Sequence, residues 1–271
     1  MKTPVKKVTR VVLFLGYLLA LYVGFLYFFQ YDLLFWPSKD YRSPKDMGFT
    51  LFREVVMTAA DGTPIMHWYH EGDKDKPAIL FFHGNTGQIA DFSPGLVPIA
   101  RAGYSVLAME YRNFGNTGGE ISQKVVFQDA ANAFDFLKKQ GHKKVVAYGY
   151  SFGTAFASGL TSLRPVDGVI LTAPFSSLYN IVSEKPVPLA KYLLKDNYPS
   201  VQYLQNYEKP LLIVHGTKDN VIPYHHGQML YNNAKSNDKS IHLLDNTDHI
   251  TVFWRFKNLP FILPFLEKLS R

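Results

Sequence analysis

Three residues of this chain have the types and the order that acyl transfer requires: Ser151, Asp219 and His249. Ser151 is the centre of Gly149-Tyr150-Ser151-Phe152-Gly153. A short apolar run of strand character, Lys143 to Tyr148, precedes it. Small apolar residues able to start a helix, Thr154 to Leu160, follow. A serine on such a strand-to-helix turn projects its hydroxyl from a sheet edge. The flanking glycines remove side chains that would collide with the neighbouring strand and helix. A serine hydroxyl is a poor nucleophile at neutral pH, so it needs a base to take its proton and an acid to hold that base in the right tautomer.

Asp219 lies just past the apolar run Leu211 to Val214, in His215-Gly216-Thr217-Lys218-Asp219. His249 lies past a second strand-like run, in Leu243-Leu244-Asp245-Asn246-Thr247-Asp248-His249. Taken singly, each has a plainer explanation. Gly and Ser are ordinary turn residues, an Asp before Pro223 can be a helix cap, and the chain holds nine histidines. The ordered coincidence of all three, each after a strand, is harder to obtain by chance. Of the other candidates, His83 precedes the serine in sequence and fits a structural role in the loop His83-Gly84-Asn85. His215 is also near a strand end. His225 and His226 are adjacent on a helix and therefore face different directions, which argues against a chelating pair. Asp245 and Asp248 are rival acids, but Asp248 adjoins His249 too closely to reach its far ring nitrogen easily. Two backbone N–H groups should receive the developing oxyanion: Phe152, directly after the serine, and Asn85, after the first buried strand.

These residues need elements to position them. Leu51 to Met57 and Pro64 to His70 read as strands around the hairpin signal Asp61-Gly62. The runs 78–82, 105–109, 145–147, 169–171 and 211–214 are apolar throughout, as strands of a parallel sheet covered on both faces must be. Helix-length segments at about 90–103, 122–140, 152–163, 222–236 and 251–268 alternate with them, which implies an open α/β sheet with right-handed crossovers. Ligands bind such sheets at the carboxyl ends of the strands. The stretch from Phe175 to Lys209 is too long for a plain connection and carries Pro186, Pro188, Pro199 and several tyrosines. It reads as packed surface helices that can also serve as a lid.

The chain has 271 residues and no cysteine, which excludes disulfides, thiolate catalysis and cysteine-ligated metal. Its formal net charge is +7, and Lys2, Lys6, Lys7 and Arg10 supply more than half of it. The remainder is nearly balanced and has no basic stripe, so nucleic-acid binding is not indicated. Val11 to Phe29 is an uncharged apolar run. A helix of about 20 residues, rising about 1.5 Å per residue, crosses a hydrocarbon core about 30 Å thick. The run ends in Phe28-Phe29-Gln30-Tyr31-Asp32, which offers no small-residue cleavage site. Basic residues precede the run, whereas Lys39, Arg42 and Lys45 beyond it are interleaved with Asp32, Asp40 and Asp46. This bias places the amino terminus in the cytoplasm and the large domain across the membrane.

With these features in view, the chain resembles the α/β-hydrolase superfamily from about residue 50 to its end. Within it, the chain is similar to the bud-emergence type of membrane-anchored abhydrolase-domain serine hydrolases. The resemblance rests on the amino-terminal anchor, H-G-N-T-G at 83–87, Y-R-N-F-G-N-T-G-G at 111–119, G-Y-S-F-G at 149–153, H-G-T-K-D at 215–219 and D-H at 248–249. Asn113 stands where that group usually has Gly, Thr117 replaces a common Ser, and Thr247 replaces a small residue. None of these removes a catalytic group. The resemblance implies a mostly parallel sheet of about eight strands with helices on both faces. The expected organisation is a basic cytoplasmic tail (1–10), a transmembrane anchor (11–30), a linker (31–49) and an α/β-hydrolase domain (50–271) with a lid insertion at about 175–208. The expected activity is cleavage of a carboxylic ester or thioester through an acyl-enzyme on Ser151, with an acyl or lipid-like substrate and neither metal nor organic cofactor. An amidase, peptidase or acyltransferase could use the same three residues. A non-catalytic anchored scaffold of the same fold has no need of all three.

Overall fold

The computed structural model describes residues 4–271. The chain begins with α1 (Pro4–Phe28), continues into α2 (Gln30–Leu34) and passes through a two-residue strand, β1 (Trp36–Pro37). A hairpin follows, β2 (Arg53–Thr58) and β3 (Pro64–His70), antiparallel in register from Thr58↔Pro64 to Arg53↔Tyr69. Its turn relies on Gly62 at φ +86, a backbone region that L side chains resist. The alternating part then runs β4 (Ala78–Phe82), β5 (Thr86–Gly87), α3 (Ile89–Arg101), β6 (Val106–Met109), α4 (Gln123–Lys139), β7 (Val145–Tyr150), α5 (Gly153–Leu160) and β8 (Gly168–Thr172). An inserted segment holds α6 (Leu178–Ser183) and α7 (Ser200–Leu204). The chain closes with β9 (Leu211–Gly216), α8 (His225–Asn233), β10 (Lys239–Leu244), α9 (Thr251–Trp254) and α10 (Leu259–Ser270).

The main sheet has eight strands in the order β10-β9-β8-β7-β4-β6-β3-β2. From β6 to β10 every pairing is parallel, and β3 and β2 add an antiparallel edge. The strand period of two divides the apolar residues between two cores. Leu80, Phe82, Ala147, Leu171 and Ile213 face α4, α5 and the inserted segment. Ile79, Phe81, Val146, Ile170 and Leu212 face α3, α9 and α10. This double burial is why the central strands read as continuous apolar runs.

Two segments depart from the sequence reading. The helix expected at 251–268 is two helices, because Phe256 turns left-handed at φ +54 and Pro260 sits in the first turn of α10, where a missing N–H costs nothing. Residues 31–49 do more than connect. Phe35 is buried 4.8 Å from the Phe152 ring, and β1 pairs in parallel with β5. A short apolar stretch beside a proline gives no periodic signal, so this packing had no mark in the pattern. At the amino terminus, Val8–Phe28 is long and apolar enough to cross a membrane, with a mean hydropathy of 2.3 and almost all of its surface outside the protein interior. The basic stretch expected at 1–10 lies partly outside the described residues.

Candidate active site

The turn between β7 and α5 holds Ser151 at φ +53. Sterics explain why glycine flanks it. A Cβ on Gly149 would stand 2.5 Å from the Gly153 carbonyl oxygen, and one on Gly153 would stand 2.1 Å from the Phe82 carbonyl oxygen. The strained turn is held by backbone bonds from Ser151 N–H to the Thr172 carbonyl, 2.9 Å, and from Thr154 N–H to the Ser151 carbonyl, 3.0 Å. Asn113, also flagged by its position in a motif, adopts φ 67, a conformation Asn tolerates better than most residues.

Ser151, His249 and Asp219 form one hydrogen-bonded line at the carboxyl edge of the sheet. His249 Nε2 is 2.9 Å from Ser151 Oγ, and His249 Nδ1 is 2.7 Å from Asp219 Oδ2. A carboxylate at Nδ1 fixes the proton there and leaves the Nε2 lone pair facing the serine. The loops after β9 and β10 bring the acid and the base together. Gly216 packs so closely that a Cβ would lie 2.2 Å from the Thr247 carbonyl oxygen, and Lys218 N–H donates to that same carbonyl at 2.9 Å. Thr247, one of the departures noted above, is buried there and accepts a hydrogen bond from Lys257 Nζ.

Asp219 is a fully engaged carboxylate. Its Oδ1 accepts N–H bonds from Val221 at 2.9 Å and Ile222 at 2.8 Å, and its Oδ2 faces both His249 and, at 3.3 Å, His215 Nε2. Burial pushes its pKa up, but hydrogen bonds from His215 and His249 outweigh burial and hold the carboxyl well below its ordinary range. His215 lies beside that carboxylate. It donates from Nε2 to the Ile222 carbonyl at 2.9 Å. Tyr150 donates its hydroxyl to the His249 carbonyl at 3.0 Å, and burial, with Asp219 nearby, pushes its phenol pKa well up. Asp248 caps α9 through the Ile250 and Thr251 N–H groups and turns away from the histidine ring.

The loop after β4 also borders this site. Asn85 and Phe152 line the same cavity as Ser151, and neither backbone N–H has a partner among the described residues. The Asn85 carbonyl accepts from Trp36 N–H at 2.9 Å, and its side-chain amide donates to the Leu34 carbonyl. The segment before the domain thus fixes the orientation of this loop. Beneath it, His83 Nε2 meets Glu110 Oε1 at 2.8 Å, Glu110 also accepts from Ile89 and Tyr111 N–H, and Tyr111 donates its hydroxyl to the His83 carbonyl at 2.8 Å. The sequence reading gave His83 a structural role here but missed its partner. A charged residue directly after the apolar strand Val106–Met109 was the available signal.

Above Ser151 lies a cavity of about 660 Å³ with almost entirely apolar walls. Leu178 and Ile181 of the inserted segment form one side. Leu26 of α1 and Leu33 and Leu34 of α2 form another. The two sides are tied together: Tyr22 donates to the Pro188 carbonyl at 2.8 Å, and Gln30 accepts from Lys195 N–H at 2.8 Å. The inserted segment, expected at about 175–208, therefore covers the serine in company with the apolar amino-terminal helix.

Residues 77–194 match the alpha/beta hydrolase fold family, and residues 200–253 match a family described as serine aminopeptidase, S33. An uncharacterized protein of Mycobacterium tuberculosis is 30% identical over 208 residues, covering 74% of each chain. The chain belongs to the α/β-hydrolase superfamily. The resemblance drawn from its motifs agrees with this. Another relative of this α/β-hydrolase is the uncharacterized protein YfhR of Escherichia coli, 27% identical over 265 residues, covering 93% of this chain and 92% of that one. A third is the lysophosphatidylserine lipase ABHD12 of Xenopus tropicalis, 31% identical over 195 residues, covering 62% of this chain and 50% of the relative. Among solved structures, the Pyrococcus furiosus esterase Pf2001 superposes with a TM-score of 0.71 at 18% identity, covering 88% of this α/β-hydrolase and 98% of the esterase. The chain shares with that esterase the α/β-hydrolase fold.

Proposed function

We propose that this α/β-hydrolase is a membrane-anchored serine hydrolase that cleaves single-chain acyl esters or thioesters. The observation that carries this reading is the apolar cavity, which ends on Ser151 and is walled jointly by the lid and the amino-terminal apolar helix. Its volume of about 660 Å³ lies within the usual range for small-ligand sites. An acyl chain entering from the bilayer along α1 would reach the serine without crossing water.

Ser151 Oγ attacks the carbonyl carbon while His249 Nε2 takes its proton, and Asp219 stabilises the imidazolium that forms. The Asn85 and Phe152 N–H groups receive the oxyanion. Each such donor typically lowers the barrier by about 2.7–4 kcal/mol. His249 then protonates the leaving group, and water, activated by the same histidine, hydrolyses the acyl-enzyme. An amide or a second acyl acceptor could use these parts too, but the apolar roof favours a lipid-like ester. The name of the lysophosphatidylserine lipase relative points the same way. Aligned Ser151, His249 and Asp219 speak against a mere scaffold. In this reading residues 11–30 span the membrane, the amino terminus is cytoplasmic and the domain is extracytoplasmic. Contacts of Tyr22 and Gln30 with the lid support a retained anchor over a cleaved signal.

The test is labelling with a fluorophosphonate probe. The full-length protein should label, and Ser151→Ala should not. Labelling that survives in Ser151→Ala would assign the nucleophile elsewhere. A folded wild type that stays unlabelled, even with the lid deleted, would sink the hydrolase mechanism.

A further inference from the structure

A second cluster of chemistry-bearing side chains lies at the rim of the lid, away from Ser151. Adjacency on a helix was expected to turn His225 and His226 in different directions, and the folded chain corrects this. They occupy the first turn of α8 with their rings stacked, centroids 4.6 Å apart and planes at 28°. Glu184, directly after lid helix α6, reaches across to both. Its Oε1 is 2.9 Å from His225 Nε2 and 3.4 Å from His226 Nε2. The three ligand atoms all lie within 4.8 Å of one another.

The second, independent observation is His226 itself. Its side chain is fully buried, yet Nε2 has no hydrogen-bond partner, and it faces Glu184 without hydrogen-bond geometry. A buried ring nitrogen without a partner is costly unless something else takes its lone pair. The other ring nitrogen is suited to that arrangement. Nδ1 lies 2.8 Å from Ser176 Oγ, which also accepts from Asn180 Nδ2 at 2.9 Å. The Ser176 N–H also donates weakly to Nδ1, at 3.4 Å. A cation on Nε2 would move the ring proton to Nδ1, where Ser176 Oγ is placed to accept it in exchange for the weak N–H contact, the outer hydrogen bond that orients metal-binding histidines.

We propose that Glu184, His225 and His226 form a three-ligand site for a first-row divalent cation of the zinc type, clamping the lid to α8. Two imidazoles and one carboxylate suit Zn2+ better than Mg2+ or Ca2+, which prefer all-oxygen shells. Tetrahedral ligands at about 2.0–2.1 Å from zinc stand about 3.3 Å apart. The glutamate distances already bracket that value, and the half-exposed His225 ring is free to close the remaining gap. The α8 dipole opposes a cation at this end, but direct coordination by the Glu184 carboxylate offsets it. The site adjoins the cavity: Lys185, next to Glu184, and Val221, two residues past Asp219, both line its wall, and Lys185 Nζ donates to the Val221 carbonyl at 3.0 Å. A cation here therefore fixes the lid edge against the loop that carries Asp219.

The test measures Zn2+ binding by the full-length protein in detergent, after removal of metal by a chelator, using titration calorimetry and elemental analysis. One equivalent should bind. Co2+ in its place should give the strong visible bands of a low-symmetry, four- or five-coordinate site. Glu184→Gln and His225→Ala, both at half-exposed positions that leave the core intact, should each weaken binding by at least about tenfold. His226→Ala should abolish it. Bound Zn2+ should also slow tryptic cleavage after Lys191 in the lid. Failure of the wild type to bind an equivalent of Zn2+ would overturn the proposal, and so would equal binding by the Glu184→Gln/His225→Ala double variant. None of these readouts depends on hydrolysis, so the metal site stands or falls separately from the proposed activity.

Discussion

The floor and the roof of the cavity are built on opposite principles. The floor is polar and closely determined. Ser151, His249 and Asp219 are linked by contacts of 2.9 and 2.7 Å, the acid is saturated with donors, and glycines at 149, 153 and 216 leave no room for a Cβ. The roof is apolar and assembled from distant pieces, with α1 and α2 meeting a lid more than a hundred residues away in sequence. Directional bonds fix the reacting atoms to within fractions of an ångström, which acyl transfer demands. Apolar contact is non-directional and selects a substrate by shape and length. The proposed function therefore assigns the chemistry to the floor and the specificity to the roof.

Substitutions in the floor should be drastic and largely independent of acyl chain. Ser151→Ala should lower kcat by about 10⁶-fold with the melting temperature unchanged. Asp219→Asn should cost about 10⁴-fold in kcat, because the wrong tautomer of His249 then faces the serine. Its stability effect should depend on pH in a defined direction. The folded carboxyl titrates below its ordinary value of 3.8, so its contribution is present above that value and is lost as pH falls toward the folded one. The stability gap between wild type and Asp219→Asn, read by denaturant unfolding, should narrow as pH falls below about 4. Gly153→Ala tests the sterics. Its Cβ would meet the Phe82 carbonyl oxygen, so unfolding should show a loss of about 1–3 kcal/mol together with lost activity.

Roof substitutions should be milder and depend on chain length. Ile181→Ala and Leu178→Ala should raise KM for a long-chain ester by about tenfold and leave turnover of an acetyl ester unchanged. An equal effect on both esters would erase the division between floor and roof.

The two regions also differed in how well the sequence announced them. The floor rests on local patterns. Glycine spacing around Ser151, apolar runs such as 78–82 and 211–214, and strand ends before Asp219 and His249 all lie within a few residues of the groups they position. The roof and its supports rest on long-range partners that no window contains. Phe35 gave no sign that it would pack on Phe152, nor Trp36 that it would hold the Asn85 carbonyl. Glu110 meets His83 across 27 residues of sequence. His225 and His226 read as divergent neighbours because the residue that makes them converge, Glu184, arrives from the lid. The break at Phe256 was missed because apolar periodicity runs across it, and only the left-handed turn before Pro260 separates the two helices.

The most direct test of this division is the chain-length profile of kcat/KM for the full-length protein in phospholipid nanodiscs, on esters from acetyl to palmitoyl. A serine floor beneath a membrane-facing apolar roof predicts that kcat/KM rises with acyl length, and that Ser151→Ala abolishes turnover at every length. A profile that is flat or falls with length, in a protein whose Ser151 still labels, would contradict the role assigned to the roof.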